Sequence, residues 1–439
     1  MAGIFKAYDI RGIYGEDLNE EIATKIGRAF VTFLGCKKVL IAQDMRPHSE
    51  PLFKALSEGI TMQGADIIHI GLASSPMSYY ANGFLGCDAG IMITASHNPG
   101  EWNGFKLSKA QAVPISGESG IADVERIVNE EDFAPVADVK GTISTFDITN
   151  EYVKHVKQFA HLKRPVKIVA DMGNSMGIIE SKALEGIVDF EPMFDTLDGT
   201  FPNHEANPLN HETLVALQEK VRSGSYDFGV SFDGDADRVG FVDENGDIIP
   251  MDIITALIAK DLLSKEKGVI FYDLRSSWAV KEEIEAAGGT PMMSRVGHTF
   301  IKQQMRENNA IFAGEVSGHY YFRDNYTTES SSMAVICVAN IVSASDKTLS
   351  ELIKPIQRYF CSGEINSKVE DKQAVLDTLE KKYSDGNVFK LDGLSVEYSD
   401  WWFNVRCSNT EPFIRLNLEA KTQEKMEEKR DEILAIIRG

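Results

Sequence analysis

Positive charge is scarce in this 439-residue sequence: 45 Lys and Arg stand against 66 Asp and Glu, for a net charge of −21. A field of that sign repels nucleic acid and anionic lipid surfaces, so neither is an expected partner. An anionic substrate would need locally placed Arg and Lys, or a metal ion, to overcome the average field. Cysteine is sparse too. Cys36, Cys87, Cys337, Cys361 and Cys407 form no CxxC pair and leave an odd count, which argues against a disulfide framework and suits buried free thiols in a reducing compartment. The start MAGIFKAYDIRG has no apolar h-region, so no secretory signal is read there. The uncharged stretch 330–345 is too short and too serine-rich to span a bilayer. The glycosylation sequon at Asn325 reads as chance in a chain without an export signal. A cytoplasmic monomer or homodimer is the expectation. The 43% hydrophobic and 25% charged residues are ordinary for a globular protein and exclude a disordered or collagen-like chain.

Three segments share one rhythm. The apolar runs VLIAQD (39–44), VKIVAD (166–171) and VIFYD (269–273) each end in an aspartate followed by polar residues, and read as buried parallel strands. Helix-like stretches follow: PLFKALSEGITMQGA, IIESKALEGI and WAVKEEIEAAGG. A further apolar strand then runs into an unusual loop: GIMI into TASHNP, FGVSF into DGDADR, AIFA into GEVSGH. This is one strand–helix–strand unit written three times, with boundaries expected near residues 145, 250 and 363. Ligands of open α/β sheets gather outside the carboxyl ends of the strands, where all three loops sit. The last segment reads as a small α+β domain: a helix over 372–383, strands around LDGLSVEY and WWFNV, a polar loop RCSNTEP (406–412), a strand FIRLNLEA and a closing charged helix.

Each loop carries its own chemistry. In DGDADR, Asp233, Asp235 and Asp237 alternate with the small Gly234 and Ala236. Carboxylates gathered at one point repel unless a counter-cation is present, and hard oxygen ligands select Mg²⁺ or a similar ion. An acidic surface turn is the plain alternative; an EF-hand fails because its later Gly and Glu are out of register. In TASHNP, Ser96 beside His97 offers a nucleophile that needs activation, although turns favour Ser, Asn and Pro for backbone reasons alone. GEVSGH, if extended, presents Glu315, Ser317 and His319 on one face for reading sugar hydroxyls; in isolation a β-turn is the favoured reading. RCSNTEP supplies Arg406, Ser408, Asn409 and Thr410, with Arg415 close behind, which suits a phosphate dianion as well as it suits a polar turn. Together these residues point to a divalent-metal enzyme acting on a phosphorylated polyol.

The four loops, in this order and from AYDIRG (7–12) to SNTEP (408–412), resemble the α-D-phosphohexomutase superfamily, and more closely its phosphomannomutase/phosphoglucomutase branch. The resemblance implies three related α/β domains with mixed sheets (1–145, 146–249 and 250–362) and a C-terminal α+β phosphate-binding domain (363–439) around a central active-site cleft. It implies that Ser96 is a phosphoserine, and that Asp233, Asp235, Asp237 and an oxygen of that phosphoserine hold one Mg²⁺. Residues 314–319 would read the sugar, and Arg406, Ser408, Asn409, Thr410 and Arg415 its phosphate. Tyr8, Arg238 and His298 would contact substrate; Arg11, His97, Lys106 and His319 would complete the catalytic set. The implied reaction interconverts hexose 1-phosphate and hexose 6-phosphate, of mannose and also glucose, through a hexose 1,6-bisphosphate that also serves as activator. A phosphoglucosamine mutase, a metal-dependent sugar phosphatase and a non-catalytic sugar-phosphate sensor are the rival readings. Two departures stand out: Ala236 where many relatives carry glycine, and Glu329-Ser330-Ser331 where close relatives have Asp-Asp-Gly.

Overall fold

The computed structural model describes residues 3–407 and 413–439. Three mixed sheets repeat one plan. In each, a central strand is flanked by two parallel strands, and one of these turns back through a loop into an antiparallel strand. The central strands are Lys38–Gln43, Lys167–Asp171 and Val269–Asp273, and all but their first residues are buried, as β-branched runs covered on both faces should be. The turning strands are Ala89–Ile93, Phe228–Phe232 and Phe312–Gly314. They return as Trp102–Lys109, Val239–Asp243 and Tyr320–Phe322. Ser96, the 233–237 aspartates and the 315–319 segment therefore occupy the equivalent hairpin of each unit.

The helices that cover these sheets follow local sequence. Glu20–Leu34 is capped by the Asn19 side chain and closed by Gly35 at φ 61°. It packs against Ser49–Met62 at a glycine crossing, where a Cβ on Gly59 would come within 2.1 Å of Thr24 O. The second unit departs from expectation. IIESKALEGI forms only the end of a four-residue helix, Gly177–Glu180, and a 3-10 turn, with Phe232 packed closely on Gly177. The uncharged stretch after Ser330 is the helix Ser331–Ser343, buried on nearly every side between the units. Among the described residues no helix is long and apolar enough to cross a membrane. Asn325 is fully buried and bonded to Thr328 and Glu329, so its sequon is inaccessible.

One hydrophobic core runs from Leu40 and Met92 through Phe232 to Tyr320 and Val338, joining all three units. The C-terminal unit keeps a core of its own around Leu379, Trp401, Phe403 and Ile433. Its antiparallel sheet is built on Trp401–Cys407 and Phe413–Ala420, so Arg406 and Cys407, read as loop, end a strand instead. The expectation of buried thiols holds for Cys36, Cys87 and Cys337; Cys361 is exposed on an edge strand of the C-terminal sheet, and Cys407 is partly buried at the end of a strand, against that unit's core.

Candidate active site

The first two hairpins meet directly. A Cβ on Gly234 would lie 2.1 Å from Ser96 O, so only glycine permits the approach. Ser96 is buried and held at φ 53°, and its hydroxyl donates to Asp233 Oδ2 at 2.9 Å, with His97 Nδ1 at 3.3 Å. The Ser96 loop is clamped from below by Arg46, whose guanidinium donates to the carbonyls of Ser96, Asn98, Pro99 and Trp102 while Asp44 balances its charge. Arg11 adds bonds to Ala95 O at 3.1 Å and Asn98 Oδ1 at 2.7 Å.

The side-chain oxygens of Asp233, Asp235 and Asp237 converge within 4.8 Å of one another, fully buried. Burial, then Asp237 and Asp235, push Asp233 up to about 7. Asp237 goes the other way: against burial, Lys106 and His319 hold it well below the carboxylate range. Lys106 Nζ sits 2.5 Å from Asp235 and 2.6 Å from Asp237. Burial opposes its charge, but the two aspartates outweigh burial and hold the ammonium far above its usual range. Among the described residues Asp235 Oδ1 is nevertheless buried without a hydrogen-bond partner, and Asp237 Oδ1 has only the His319 imidazole at 3.4 Å. Uncommitted hard oxygens in a buried triad fit a small divalent cation.

The third hairpin is a turn, not an extended segment. Gly318, at φ 82°, donates to Glu315 O, and the reversal brings His319 Nδ1 to 3.2 Å from Glu315 and 2.8 Å from Ser317 Oγ. The three side chains converge by folding back. Burial alone would lower His319, yet Asp237 and Glu315 outweigh it and raise the imidazole to about 9. Arg238 Nε lies 3.3 Å from His319 Nε2. Burial, Arg238 and Arg11 hold His97 well below the imidazole range, so one histidine is neutral and the other cationic. His298 stacks over His319 at 6.1 Å, and Tyr8 meets His298 edge-on while donating to Val296 O.

These residues form one contiguous group. Arg406 and Arg415 form another, cross-strand partners that both face Glu364, at 2.7 Å and 3.7 Å. Ser408, Asn409 and Thr410 lie outside the described residues. Arg275 of the third unit links the groups: it pairs with Asp273 and reaches Glu364 at 3.7 Å, while Asp273 accepts from Val316 N in the third hairpin. Sequence reasoning passed over Arg46, Arg275 and Glu364. The signal was an Asp-x-Arg step closing the central strand of units one and three, Asp44-Met45-Arg46 and Asp273-Leu274-Arg275. The odd Glu329 turns out to hold Lys302 Nζ through both oxygens at 2.9 Å, fully buried, with His298 Nδ1 at 3.5 Å.

Comparison with known proteins agrees along the whole chain. Residues 2–135, 150–246 and 250–359 match the family described as phosphoglucomutase/phosphomannomutase, alpha/beta/alpha domains I, II and III, and residues 364–436 match its C-terminal domain. The phosphomannomutase of Escherichia coli K12 is 41% identical over 431 residues, 95% of this chain and 94% of that protein. A phosphomannomutase of Methanocaldococcus jannaschii is 38% identical, over 99% of this chain and 97% of its own length. The crystal structure of a phosphoglucomutase/phosphomannomutase family protein from Burkholderia thailandensis superposes with a TM-score of 0.91 at 30% identity, covering 99% of this chain and 96% of that one.

Proposed function

The chain belongs to the phosphoglucomutase/phosphomannomutase family, and from that premise we propose that it interconverts mannose 1-phosphate and mannose 6-phosphate, and the glucose pair, through a phosphorylated Ser96. The observation that carries this reading is the hydroxyl of Ser96, 2.9 Å from a carboxylate of a triad whose neighbouring oxygens are uncommitted. Asp233, Asp235 and Asp237 would hold Mg²⁺, which when bound neutralises charge on the oxygens of a phosphoryl group at Ser96.

The rest is work for side chains. In-line phosphoryl transfer needs position and charge neutralisation more than covalent chemistry. Arg46 and Arg11 fix the loop so that the Ser96 oxygen cannot retreat. Lys106 and Arg238 supply fixed positive charge beside it. A hexose hydroxyl attacks the phosphorus, the bond from phosphorus to Ser96 Oγ breaks, and the hydroxyl proton passes through a neighbouring base to the released Ser96 oxygen; His97, with Nδ1 3.3 Å from that oxygen, is placed to carry it. The bisphosphate then turns, and its other phosphoryl group returns to Ser96. Glu315, Ser317, His319, His298 and Tyr8 would grip the sugar, while Arg406, Arg415 and the 408–410 residues would take whichever phosphate is distal. Added hexose 1,6-bisphosphate would start turnover by loading Ser96. The unpaired cysteines accord with a reducing, cytoplasmic setting.

The test is turnover of mannose 1-phosphate, glucose 1-phosphate and glucosamine 1-phosphate with Mg²⁺ and trace hexose 1,6-bisphosphate, in the wild type and in Ser96→Ala. Expected are 6-phosphates from the first two substrates and none from the variant. Release of free phosphate with Ser96 dispensable would establish a phosphatase instead, and turnover of glucosamine phosphate alone would establish the other mutase.

A further inference from the structure

The backbone of the aspartate loop is held from outside by four contacts that come from three separate strips of chain. Asp233 O accepts from Ser175 Oγ at 2.9 Å, Gly234 O from Met176 N at 3.2 Å, Asp235 O from Ser75 N at 2.9 Å, and Ala236 O from Ser331 Oγ at 2.7 Å. Ser75 Oγ also donates to Asp235 Oδ2. Four successive carbonyls are thus fixed by residues of the first, second and third units.

The three strips meet again at one side chain, Glu180. Its Oε1 accepts from Ser74 Oγ, its Oε2 from Ser332 Oγ, and Tyr152 Oη donates to both oxygens at 3.0 Å. Ser74 is the residue before Ser75 and Ser332 the residue after Ser331. Glu180 itself ends the short helix that begins next to Met176. All four side chains are completely buried, and no Lys, Arg or His touches the carboxylate among the described residues. Ser74 relays the contact, since its hydroxyl also accepts from Met77 N as the N-cap of the helix Ser75–Phe84. A carboxylate buried without a cation costs more than an apolar side chain of its size, so its presence calls for a role other than filling space.

We propose that Glu180 is a positioning residue for the Mg²⁺ site, acting through Ser74 and Ser332 to hold in register the three strips that grip residues 233–236. The inference rests on the reading of the three aspartates as the metal set. If the strips slide by a few tenths of an ångström, the ligand oxygens of Asp233, Asp235 and Asp237 separate unequally, and an ion that demands near-ideal octahedral geometry is the ligand most sensitive to that.

The experiment is Mg²⁺ titration by calorimetry on the metal-stripped full chain, beside steady-state kinetics with glucose 1-phosphate at saturating Mg²⁺. Glu180→Gln preserves shape and removes the charge; Ser332→Ala and Ser74→Ala each remove one contact. Expected is a five- to twenty-fold weaker Mg²⁺ Kd in Glu180→Gln and two- to five-fold in each serine variant. The fall in kcat should follow the same ranking, with KM for the sugar phosphate within two-fold of wild type. A lowered Tm with Mg²⁺ Kd and kcat unchanged would make Glu180 a fold-stabilising residue only and overturn the proposal. Should Glu180→Gln fail to fold, wild-type Mg²⁺ affinity in both serine variants would overturn it equally. A wild type that binds no Mg²⁺ would instead overturn the reading of the aspartates, with this inference falling as its consequence.

Discussion

The protein buries two anionic centres, tied to the same strips of chain, and satisfies them in opposite ways. At the aspartate triad, Lys106 is close and yet Asp235 Oδ1 has no partner. At Glu180 no cation is paired among the described residues, and both oxygens are filled by hydroxyls. At the first, burial joined by repulsion from Asp237 and Asp235 lifts Asp233 to about 7. Burial dominates the second, raising Glu180 while Ser332, Ser74 and Tyr152 pull it back. The difference separates a centre with an uncommitted carboxylate oxygen from one that has closed upon the protein itself. Charge left uncommitted serves chemistry; charge fully committed serves geometry.

The largest expected effect breaks the pair by function. Asp235→Asn removes a prospective ligand and should cut kcat/KM for glucose 1-phosphate by about 10²–10³, the usual scale for one electrostatic group in a water-excluded site. Its Tm in chelator should fall less than that of Glu180→Ala, because relief of repulsion among the buried carboxylates offsets the weakened pairing with Lys106. The mirror experiment is Glu180→Ala. It leaves Ser74, Ser332 and Tyr152 without their acceptor and opens a cavity, for a loss of about 3 kcal/mol in urea unfolding. If Asp235→Asn destabilised the metal-free fold as much as Glu180→Ala, the distinction between the two centres would collapse.

How far each centre could be read from sequence follows from the same contrast. Ser96, the aspartates and the 315–319 turn were legible because unusual residues cluster within a few positions at the end of an apolar strand. The repeat was legible because the central strands need buried β-branched runs. Glu180 was not legible. In IIESKALEGI it reads as one more helical glutamate, yet the helix spans only Gly177–Glu180 and Glu180 at its end is fully buried. Its partners Ser74 and Ser332 lie 106 and 152 positions away, and serine is too common to announce such a contact. Arg46 shows an intermediate case: the Asp-x-Arg step was visible in two units, but its four carbonyl acceptors are a property of the folded loop. The turn at 315–319 sharpens the point: a β-turn is the favoured local reading, but that the turn itself gathers Glu315, Ser317 and His319 is seen only in the fold.

A pH experiment on the metal-free protein isolates the repulsive centre when the wild type is read against Asp233→Asn. Asp233 rises from 3.8 in the unfolded chain to about 7 in the fold, so the folded state binds the proton more tightly between those values. Stability from this group is therefore fully present below about pH 4 and is lost as pH rises toward 7, a decline of roughly 2 kcal/mol between pH 5 and pH 7. Asp237 acts with the opposite sign and below pH 4, where its depressed carboxylate is finally protonated and its contribution lost. Urea midpoints in chelator should fall from pH 5 to pH 7 in the wild type and fall less in Asp233→Asn. Parallel curves for the two proteins would show that Asp233 is not the group under strain.

The smallest effect concerns Ala236, the residue that stands where many relatives carry glycine. It sits at φ 59°, a left-handed conformation that costs an alanine about 1 kcal/mol and glycine nothing. Ala236→Gly removes that strain but frees the unfolded chain by about 0.4–1 kcal/mol, so the two terms nearly cancel and stability should move by less than about 1 kcal/mol. What decides the catalytic outcome is whether the loop takes its shape from its own backbone preference or from its holds. Ser175, Met176, Ser75 and Ser331 fix its four carbonyls, including that of Ala236 itself. With those holds in place the glycine gains little freedom in the folded state, and kcat should stay within two-fold of wild type. A ten-fold loss in Ala236→Gly would instead mean that the methyl group's restriction of φ shapes the aspartate loop, and that the convergence on Glu180 contributes less than the contacts imply.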